Sequence, residues 1–172
     1  MSLVQRIARW RVTLGFVFGA MVFWLARPTW PSLIAGGSLA IAGEVLRIWA
    51  AGHIEKSREV TSSGPYRWIR HPLYLGTTII AVGIVVAARS WVVAGLVALY
   101  VVVPLWSAIR AEEAHLRDKF GADYDAYAAR HASPVARSFS AARALANREH
   151  HTIAGLLAGL TLLALKVGLS LR

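Results

Sequence analysis

The sequence predicts an all-α integral membrane protein with about five transmembrane helices and a cytoplasmic helical cap. The composition, the apolar runs and the distribution of basic residues lead to this prediction. Of the 172 residues, 56% are hydrophobic and 16% are charged, and the mean hydropathy is +0.50. Soluble domains carry about 25% charged residues. Much of this chain therefore faces something other than water.

Charge and cysteine content restrict the classes of function. The net charge is +10, but a soluble nucleic-acid-binding protein of this charge would be less apolar. We therefore expect membrane lipids, and no nucleic acid, as partners. The chain has no cysteine, which excludes disulfides, thiolate metal sites and cysteine nucleophiles. Its length is typical of one domain, predicted to cover residues 1–172.

Five apolar runs predict the membrane helices in order: residues 12–26, 33–51, 73–88, 91–109 and 152–169. Several are shorter than the roughly 20 residues of an average spanning helix, but tryptophan and arginine at their ends can complete them at the interface. Only Arg89-Ser90 separates the third run from the fourth, which predicts a tight hairpin. The first run could instead be a signal peptide, but Ala26-Arg27-Pro28 is a poor cleavage site.

The basic residues predict the orientation. Three precede the first span, four lie between the second and third, and seven lie between the fourth and fifth, whereas the other side holds three. Positive charge accumulates in cytoplasmic loops, so the N-terminus is predicted to be cytoplasmic and the C-terminus outside. The cap then consists of residues 52–72 and 110–150. The short chain and poor cleavage site favour a bacterial inner membrane.

The first cap segment ends in local structure that the residue types predict. Ser63-Gly64-Pro65-Tyr66 is typical of a turn. Pro72 suits the first turn of the third span, which places His71 at or near its N-cap. The free N–H groups at such a helix start favour a carboxylate or another anion. From these residues alone, a capped helix start with basic residues among lipid headgroups is the slightly favoured explanation.

The second cap segment begins with two adjacent carboxylates, Glu112 and Glu113. If the fourth helix continues, their side chains point about 100° apart and serve different partners. One partner would be a basic residue and the other a cationic or hydroxyl-bearing ligand, unless both carboxylates are simply solvated. Gly121 is predicted to end this helical stretch. Apolar side chains follow at spacings of four, four and three residues and form an amphipathic face: Leu116, Phe120, Tyr124 and Tyr127.

Together the two segments resemble the isoprenylcysteine carboxyl methyltransferase family and the related phospholipid N-methyltransferases. The resemblance covers about residues 52–134. It rests on Gly64-x-Tyr66-x-x-x-Arg70-His71-Pro72-x-Tyr74-x-Gly76, followed after one hairpin by Glu112-Glu113-x-x-Leu116-x-x-x-Phe120-Gly121-x-x-Tyr124-x-x-Tyr127. The order and spacing of the two blocks are more specific than the short Arg-His-Pro-x-Tyr run alone.

The resemblance implies S-adenosylmethionine as methyl donor, with S-adenosylhomocysteine as its product, bound in the cap at the cytoplasmic ends of the hairpin. Position by position, the residues it assigns to the donor are Arg58, Glu59, Val60, Thr61, Tyr66, His71, Pro72, Leu73, Tyr74 and Glu112. Residues 58–61 are implied to be strand-like. The implied acceptor is lipophilic, either an isoprenylcysteine carboxylate or another amphiphile.

The acceptor side departs from the family pattern. Ala108 stands where eukaryotic members carry an arginine four residues before the paired glutamates. We therefore take Arg110 and Glu113 as candidate catalytic, acceptor-positioning residues. Arg130 is a candidate for substrate binding, and so is Arg47, which lies in a span three residues after Glu44 and within reach of a mutual pair. The run His131-Ala132-Ser133-Pro134 replaces the usual Val-Pro.

Other functions stay open at this level. An amine acceptor would need a carboxylate such as Glu113 to accept its proton. A sterol-type membrane reductase binding NADPH has a similar cap, although this chain is short and shows no second phosphate clamp. A non-enzymatic scaffold or small transporter is a third alternative. No metal is predicted, because the six histidines lack the spacing of a helical zinc site.

Overall fold

The computed structural model describes residues 3–55, 58–131 and 135–170. Within these ranges the chain is all-helical, as predicted, with seven α-helices, one 3₁₀ turn at Gly64–Arg67 and no strand. The helices are α1 (Leu3–Leu25), α2 (Trp30–Ala51), α3 (Pro72–Ala88), α4 (Trp91–Phe120), α5 (Ala122–Ala128), α6 (Ala141–Ala146) and α7 (Glu149–Ser170). The predicted cap includes residues 56–57 and 132–134, which lie outside the described residues.

Helices occupy all five positions where spans are predicted. In the described ranges, α2, α4 and α7 are long and apolar enough to cross a membrane, while α3 and Gly15–Leu25 of α1 are shorter apolar helices. The layout of five spans therefore stays a prediction.

Two helix boundaries differ from the apolar runs. Helix α2 begins at Trp30 rather than at residue 33, because Thr29 and Ser32 cap each other's backbone N–H groups. Helix α4 continues past residue 109 to Phe120 and carries Glu112 and Glu113 into the cap. His71 is the N-cap of α3 and Gly121 ends α4, as predicted.

Helices α2 and α3 pack backbone against backbone along a seam of small residues. A Cβ atom added to Gly43 would lie 2.7 Å from the carbonyl oxygen of Gly76, and one added to Gly83 would lie 2.6 Å from the amide nitrogen of Ala40. Small residues allow such close approach between membrane helices. Since the numbering runs in opposite directions along this seam, the end of α2 lies beside the start of α3.

The opposite end of the bundle is closed by apolar packing and one lysine. A buried cluster there is formed by Ala26, Leu33, Ala87, Ala88, Val93, Val97 and Leu163. The Lys166 ammonium on α7 donates to the carbonyl oxygens of Phe23 and Trp24, at 2.6 and 3.0 Å. These bonds tie α7 to the last turn of α1.

A strap, residues 135–148, fastens the loop that follows α2. Its Ser140 N–H and its Arg143 guanidinium both donate to the carbonyl oxygen of Gly52. The Asn147 side-chain amide donates to the carbonyl oxygens of Ala51 and Ile54, at 3.0 and 3.3 Å. The strap thereby satisfies carbonyls at the C-terminal end of α2, which the helix itself leaves free.

Candidate functional site

A cavity of about 690 Å³ lies where the α2–α3 seam meets the cap. This volume is within the roughly 300–1,000 Å³ range of small-molecule sites. Its walls come from α2, the loop after α2, the start of α3, α4 beyond residue 104, α5, the strap and the start of α7. The cavity therefore joins segments that are far apart in the chain.

Nine of the ten residues predicted to hold the donor line this cavity: Glu59, Val60, Thr61, Tyr66, His71, Pro72, Leu73, Tyr74 and Glu112. The Tyr74 side chain of α3 interacts with the Glu112 carboxylate of α4. Arg47, predicted to bind the substrate, lines the cavity too.

Four predicted residues lie elsewhere. The Arg58 side chain is 82% exposed and borders a neighbouring cavity. The Arg110 guanidinium stacks 4.8 Å from the centre of the Trp106 ring. Arg130 donates to the carbonyl oxygen of Trp68. Glu113 lies behind the cavity wall, against His71.

The backbone of residues 58–61 is not strand-like. It forms a turn and a bend and then irregular structure, so the strand-like assignment was wrong. The loop is held by side chains instead of by a sheet partner. In the strap, Nη1 of Arg137 lies 2.7 Å from Oε1 of Glu59. The backbone N–H of Val135 donates to the Ser62 hydroxyl at 2.9 Å.

At the start of α3, His71 is backed by a carboxylate. Its Nε2 lies 2.9 Å from Oε1 of Glu113. The Arg70 guanidinium is 3.7 Å from the same oxygen, and the Glu113 side chain is 27% exposed. The N-cap position of His71 fixes the ring beside the first turn of α3, so one helix start supplies His71, Pro72 and Leu73 to the cavity wall.

At the inner end of the cavity, Arg47 is shared by two buried carboxylates. Its predicted partner Glu44 lies 3.8 Å from Nε. Its hydrogen-bonded partner is Glu149 at the start of α7, with Nη2–Oε1 at 2.9 Å and Nε–Oε2 at 3.2 Å. Arg47 also donates to the Leu73 carbonyl oxygen and to the Thr77 hydroxyl. This arginine therefore links α2, α3 and α7.

Tyrosine hydroxyls supply donors to the cavity wall. Burial raises the pKa values of Tyr66 and Tyr124, and it raises the pKa of Tyr127 to about 12, so all three stay protonated at neutral pH. Tyr127 donates to the carbonyl oxygen of Tyr66 at 3.0 Å. Within the described ranges, the buried hydroxyl oxygens of Tyr66 and Tyr124 have no hydrogen-bond partner. Buried polar atoms are nearly always paired, so these two hydroxyls are available to water or to a polar ligand.

Sequence reasoning left other lining residues unassigned. Arg70, Leu116, Tyr124 and Tyr127 belong to the two blocks that carry the family resemblance, so the motifs themselves could have indicated them. The others are brought in by tertiary packing: Ile54, Glu55, Thr77, Leu105, His115, Asn147, Arg148, Glu149 and Thr152. Glu149 had one local signal, a carboxylate three residues before the fifth predicted span; the structure places it in the first turn of α7.

Comparisons with known proteins give a family and two curated relatives. The phospholipid methyltransferase family matches residues 10–123. The chain is 33% identical over 123 residues to the cobalt-zinc-cadmium resistance protein CzcN of Cupriavidus metallidurans, covering 67% of this chain and 57% of that protein. It is 33% identical over 133 residues to the nickel-cobalt-cadmium resistance protein NccN of Alcaligenes xylosoxydans xylosoxydans, covering 73% and 62%. The chain thus spans about three fifths of the length of these relatives. No solved structure matches.

Proposed function

This chain belongs to the phospholipid methyltransferase family, and we propose that it is an integral membrane methyltransferase that uses S-adenosylmethionine to methylate a lipophilic acceptor. The observation that carries the proposal is the shared cavity. Nine residues chosen for a donor site from the sequence blocks line one space of suitable volume.

The lining chemistry fits the proposed donor. N–H groups in the first turn of a helix have no partner within the helix and favour a carboxylate, so the start of α3 at Leu73 and Tyr74 would hold the amino-acid end. Glu112 would accept from a ribose hydroxyl or the ammonium group. The unpartnered hydroxyls of Tyr66 and Tyr124 would donate to further polar atoms. Aromatic faces and a carboxylate also favour a sulfonium cation.

The residues of this chain would act mainly by positioning. When bound, the donor supplies an electrophilic methyl group on a positively charged sulfur. The cavity walls would orient the acceptor in line with that methyl group and exclude water, and such placement accounts for much of the catalysis in displacement reactions. The inner end, at Arg47, Thr77 and Leu105, continues into the apolar helices. It is the part best suited to an amphiphile, whether an isoprenylcysteine carboxylate or a lipid amine.

The surroundings follow from the same proposal. The basic cap would lie in the cytoplasm beneath a bacterial inner membrane, with the N-terminus on the same side. Membrane lipids would be the partners, and nucleic acid would not. Residues 1–172 would act as one methyltransferase domain.

The names of the relatives suggest a context of metal resistance. Cysteine is absent from the sequence, and no group of three or more histidine, aspartate or glutamate side chains in the described ranges could hold a metal ion. The proposal assigns no metal to this chain.

Calorimetric titration of the purified protein in detergent with S-adenosylhomocysteine tests the proposal. We expect saturable binding, weakened about 10- to 100-fold by Glu112→Ala, since hydrogen bonds to charged groups contribute about 1.5–3 kcal/mol. His71→Ala should weaken binding as well. Matched controls are Asp118→Ala and His131→Ala, whose side chains are exposed and outside the cavity.

The outcomes separate the alternative functions. No binding at millimolar ligand by folded protein would remove the methyltransferase proposal. Binding of NADPH in place of S-adenosylhomocysteine would favour the reductase, and binding of neither would favour the scaffold or transporter.

A further inference from the structure

His71 and Glu113 form a pair of which only one member reaches the cavity. His71 lines the cavity and its side chain is 18% exposed, whereas Glu113 lies behind it, 2.9 Å away on α4. His115, a second cavity-lining histidine, is exposed. A histidine held by a carboxylate on its far side is the arrangement by which proteins fix the orientation and tautomer of a reactive ring.

The carboxylate determines which ring nitrogen can take a proton. Glu113 faces two cationic side chains, with Arg70 at 3.7 Å and Arg117 nearby on α4, and such neighbours favour its ionised form. An ionised carboxylate only accepts hydrogen bonds, so Nε2 of His71 must donate to it. The neutral ring then carries its lone pair on Nδ1, and this nitrogen is the basic one.

The remaining groups around the ring do not compete for that role. Tyr74 lies 5.7 Å away between ring centres. Tyr124 of α5 also belongs to this charged neighbourhood, and its pKa is raised mainly by burial and further by Glu113. Both tyrosines stay protonated near neutral pH. Glu112 interacts with Tyr74, and the proposed function assigns it to the donor. Histidine is the side chain that changes its protonation most readily at this pH.

We propose that His71 is the general base of the methyl transfer, that Glu113 is its positioning residue, and that the acceptor's nucleophilic atom carries a proton. This inference rests on the proposed function and makes it more specific. A carboxylate acceptor would attack without losing a proton and would leave the pair without a task.

The proposed step balances. The acceptor's lone pair forms a bond to the methyl carbon while the carbon–sulfur bond breaks and returns its electron pair to the sulfur. The acceptor's N–H or O–H bond then gives its electrons to the heteroatom, and the proton moves to Nδ1 of His71. The charged ring keeps its Nε2–H bond to Glu113. Both side chains are partly exposed, so the proton can return to water.

The first test reads the tautomer and needs no acceptor. Nitrogen NMR of ¹⁵N-histidine-labelled protein, with the His71 signal assigned from its loss in His71→Gln, should show the Nε2–H form at pH 8 and protonation of Nδ1 on acidification. In Glu113→Gln the preference for that tautomer should weaken. A ring protonated on Nδ1 at pH 8, or one unaffected by Glu113→Gln, would overturn the proposal.

The second test uses turnover with two probe amphiphiles, phosphatidylethanolamine vesicles as the amine and palmitate as the carboxylate. Positioned acid–base groups contribute about 10²- to 10⁴-fold, so His71→Gln should slow methylation of the amine by at least about 100-fold. Glu113→Gln should slow it less and displace the acidic limb of the pH–rate profile. His131→Gln is the matched control, since this histidine is exposed and outside the cavity.

A binding measurement separates this inference from the proposed function. Because His71 also lines the donor cavity, His71→Gln should weaken S-adenosylhomocysteine binding as well, but by a much smaller factor than it slows methylation of the amine. If affinity and turnover fall by the same factor, or if only palmitate is methylated and His71→Gln leaves that rate unchanged, His71 is not a base. If neither probe is methylated, the NMR measurement of the His71 tautomer decides whether the proposal stands. Absence of S-adenosylhomocysteine binding in the wild type would instead refute the donor site itself.

Discussion

The α2–α3 seam and the strap both shape the cavity, but they are held together in different ways. Along the seam, glycine and alanine bring the two backbones into direct contact. An added side-chain atom would therefore meet mainly backbone atoms, which cannot move aside as a flexible side chain could. In the strap, long polar side chains reach backbone carbonyls and carboxylates of the loop after α2. The seam is therefore intolerant of added atoms, whereas each strap contact can be lost singly.

This difference assigns the two regions different tasks. The seam fixes where Arg47 and the start of α3 lie, so its disruption should unfold the protein. The strap fixes the wall that contains Glu55 and Glu59, so its disruption should change ligand affinity more than stability. Site and stability can then be separated by experiment.

The largest effect is expected at the Arg47–Glu149 pair, which joins α2 of the seam to the start of α7, directly after the strap. Glu149→Gln leaves a buried guanidinium without its bidentate partner, and breaking a buried pair in this way costs about 3–5 kcal/mol. Glu44, 3.8 Å from Nε, should take over part of the pairing. A double-mutant cycle with Glu44→Gln, followed by thermal unfolding in detergent, should therefore show a loss greater than the sum of the single changes.

An exposed pair provides the control for that cycle. Arg117 and Asp125 lie 3.0 Å apart with side chains more than half exposed, and such pairs contribute about 0–1 kcal/mol. Asp125→Asn should thus hardly change the unfolding temperature. Strict additivity of the Glu44 and Glu149 changes would show that the two carboxylates do not share Arg47.

The next effect is expected along the seam itself. Gly43→Ala places a Cβ atom 2.7 Å from the Gly76 carbonyl oxygen and 2.8 Å from the Ile80 amide nitrogen, both of them backbone atoms. The helices must separate, and overpacking of this kind costs about 1–3 kcal/mol. Gly159→Ala on α7 is the matched control, because its Cβ would meet nothing within 4 Å. If Gly43→Ala were as stable as the control variant, α2 and α3 would be able to move apart at little cost in stability.

The same two regions show what sequence can and cannot predict. Local chemistry predicted the helix start at His71 and the end at Gly121, because capping depends on neighbouring residues. The family resemblance over residues 52–134 predicted nine lining residues, because each of its two segments is continuous in the chain. The Arg47–Glu149 contact joins residues 102 positions apart, so no local sequence pattern could predict it.

The loop after α2 and the side chain of Arg110 also lie differently from what local reasoning predicted. Residues 58–61 were expected to be strand-like, but their geometry follows from Arg137 of the strap, 78 positions beyond Glu59. Arg110 was chosen for its closeness in sequence to the paired glutamates, and its helical position turns it onto Trp106 instead. Periodicity places a residue on a face, but only packing shows what that face meets.

A smaller effect is expected in the strap. Asn147→Ala removes amide hydrogen bonds to the carbonyl oxygens of Ala51 and Ile54, and a hydrogen bond contributes about 0.5–1.5 kcal/mol. The loosened loop should weaken S-adenosylhomocysteine binding several-fold, a larger relative change than in the unfolding temperature. Arg130→Gln, outside the cavity, is the control. If Asn147→Ala reduced stability as much as it reduced affinity, the strap would not differ from the seam in its effect on the protein.

The smallest effect is a pH dependence at His53, in the loop after α2 that the strap fastens. This histidine is buried, its Nδ1 lies 3.1 Å from the Ser63 hydroxyl, and burial lowers its pKa, helped by Arg143 and Arg137. The unfolded chain binds a proton near pH 6.5, whereas the folded chain does so only at lower pH. Stability contributed by neutral His53 is therefore complete above that value and declines as the pH falls below it.

The measurement is the unfolding temperature at pH 7.5 and 5.5 for the wild type and for His53→Gln. Between these two pH values we expect the unfolding temperature of the wild type to fall more than that of the variant, because only the wild type has a buried imidazole whose protonation opposes folding. His131→Gln, at an exposed histidine, should keep the wild-type slope. If the unfolding temperature of His53→Gln changed with pH as much as that of the wild type, a positive charge on His53 would not oppose folding. The strap arginines would then tolerate that charge, and the strap would be held by its contacts to carbonyl oxygens rather than by its charges.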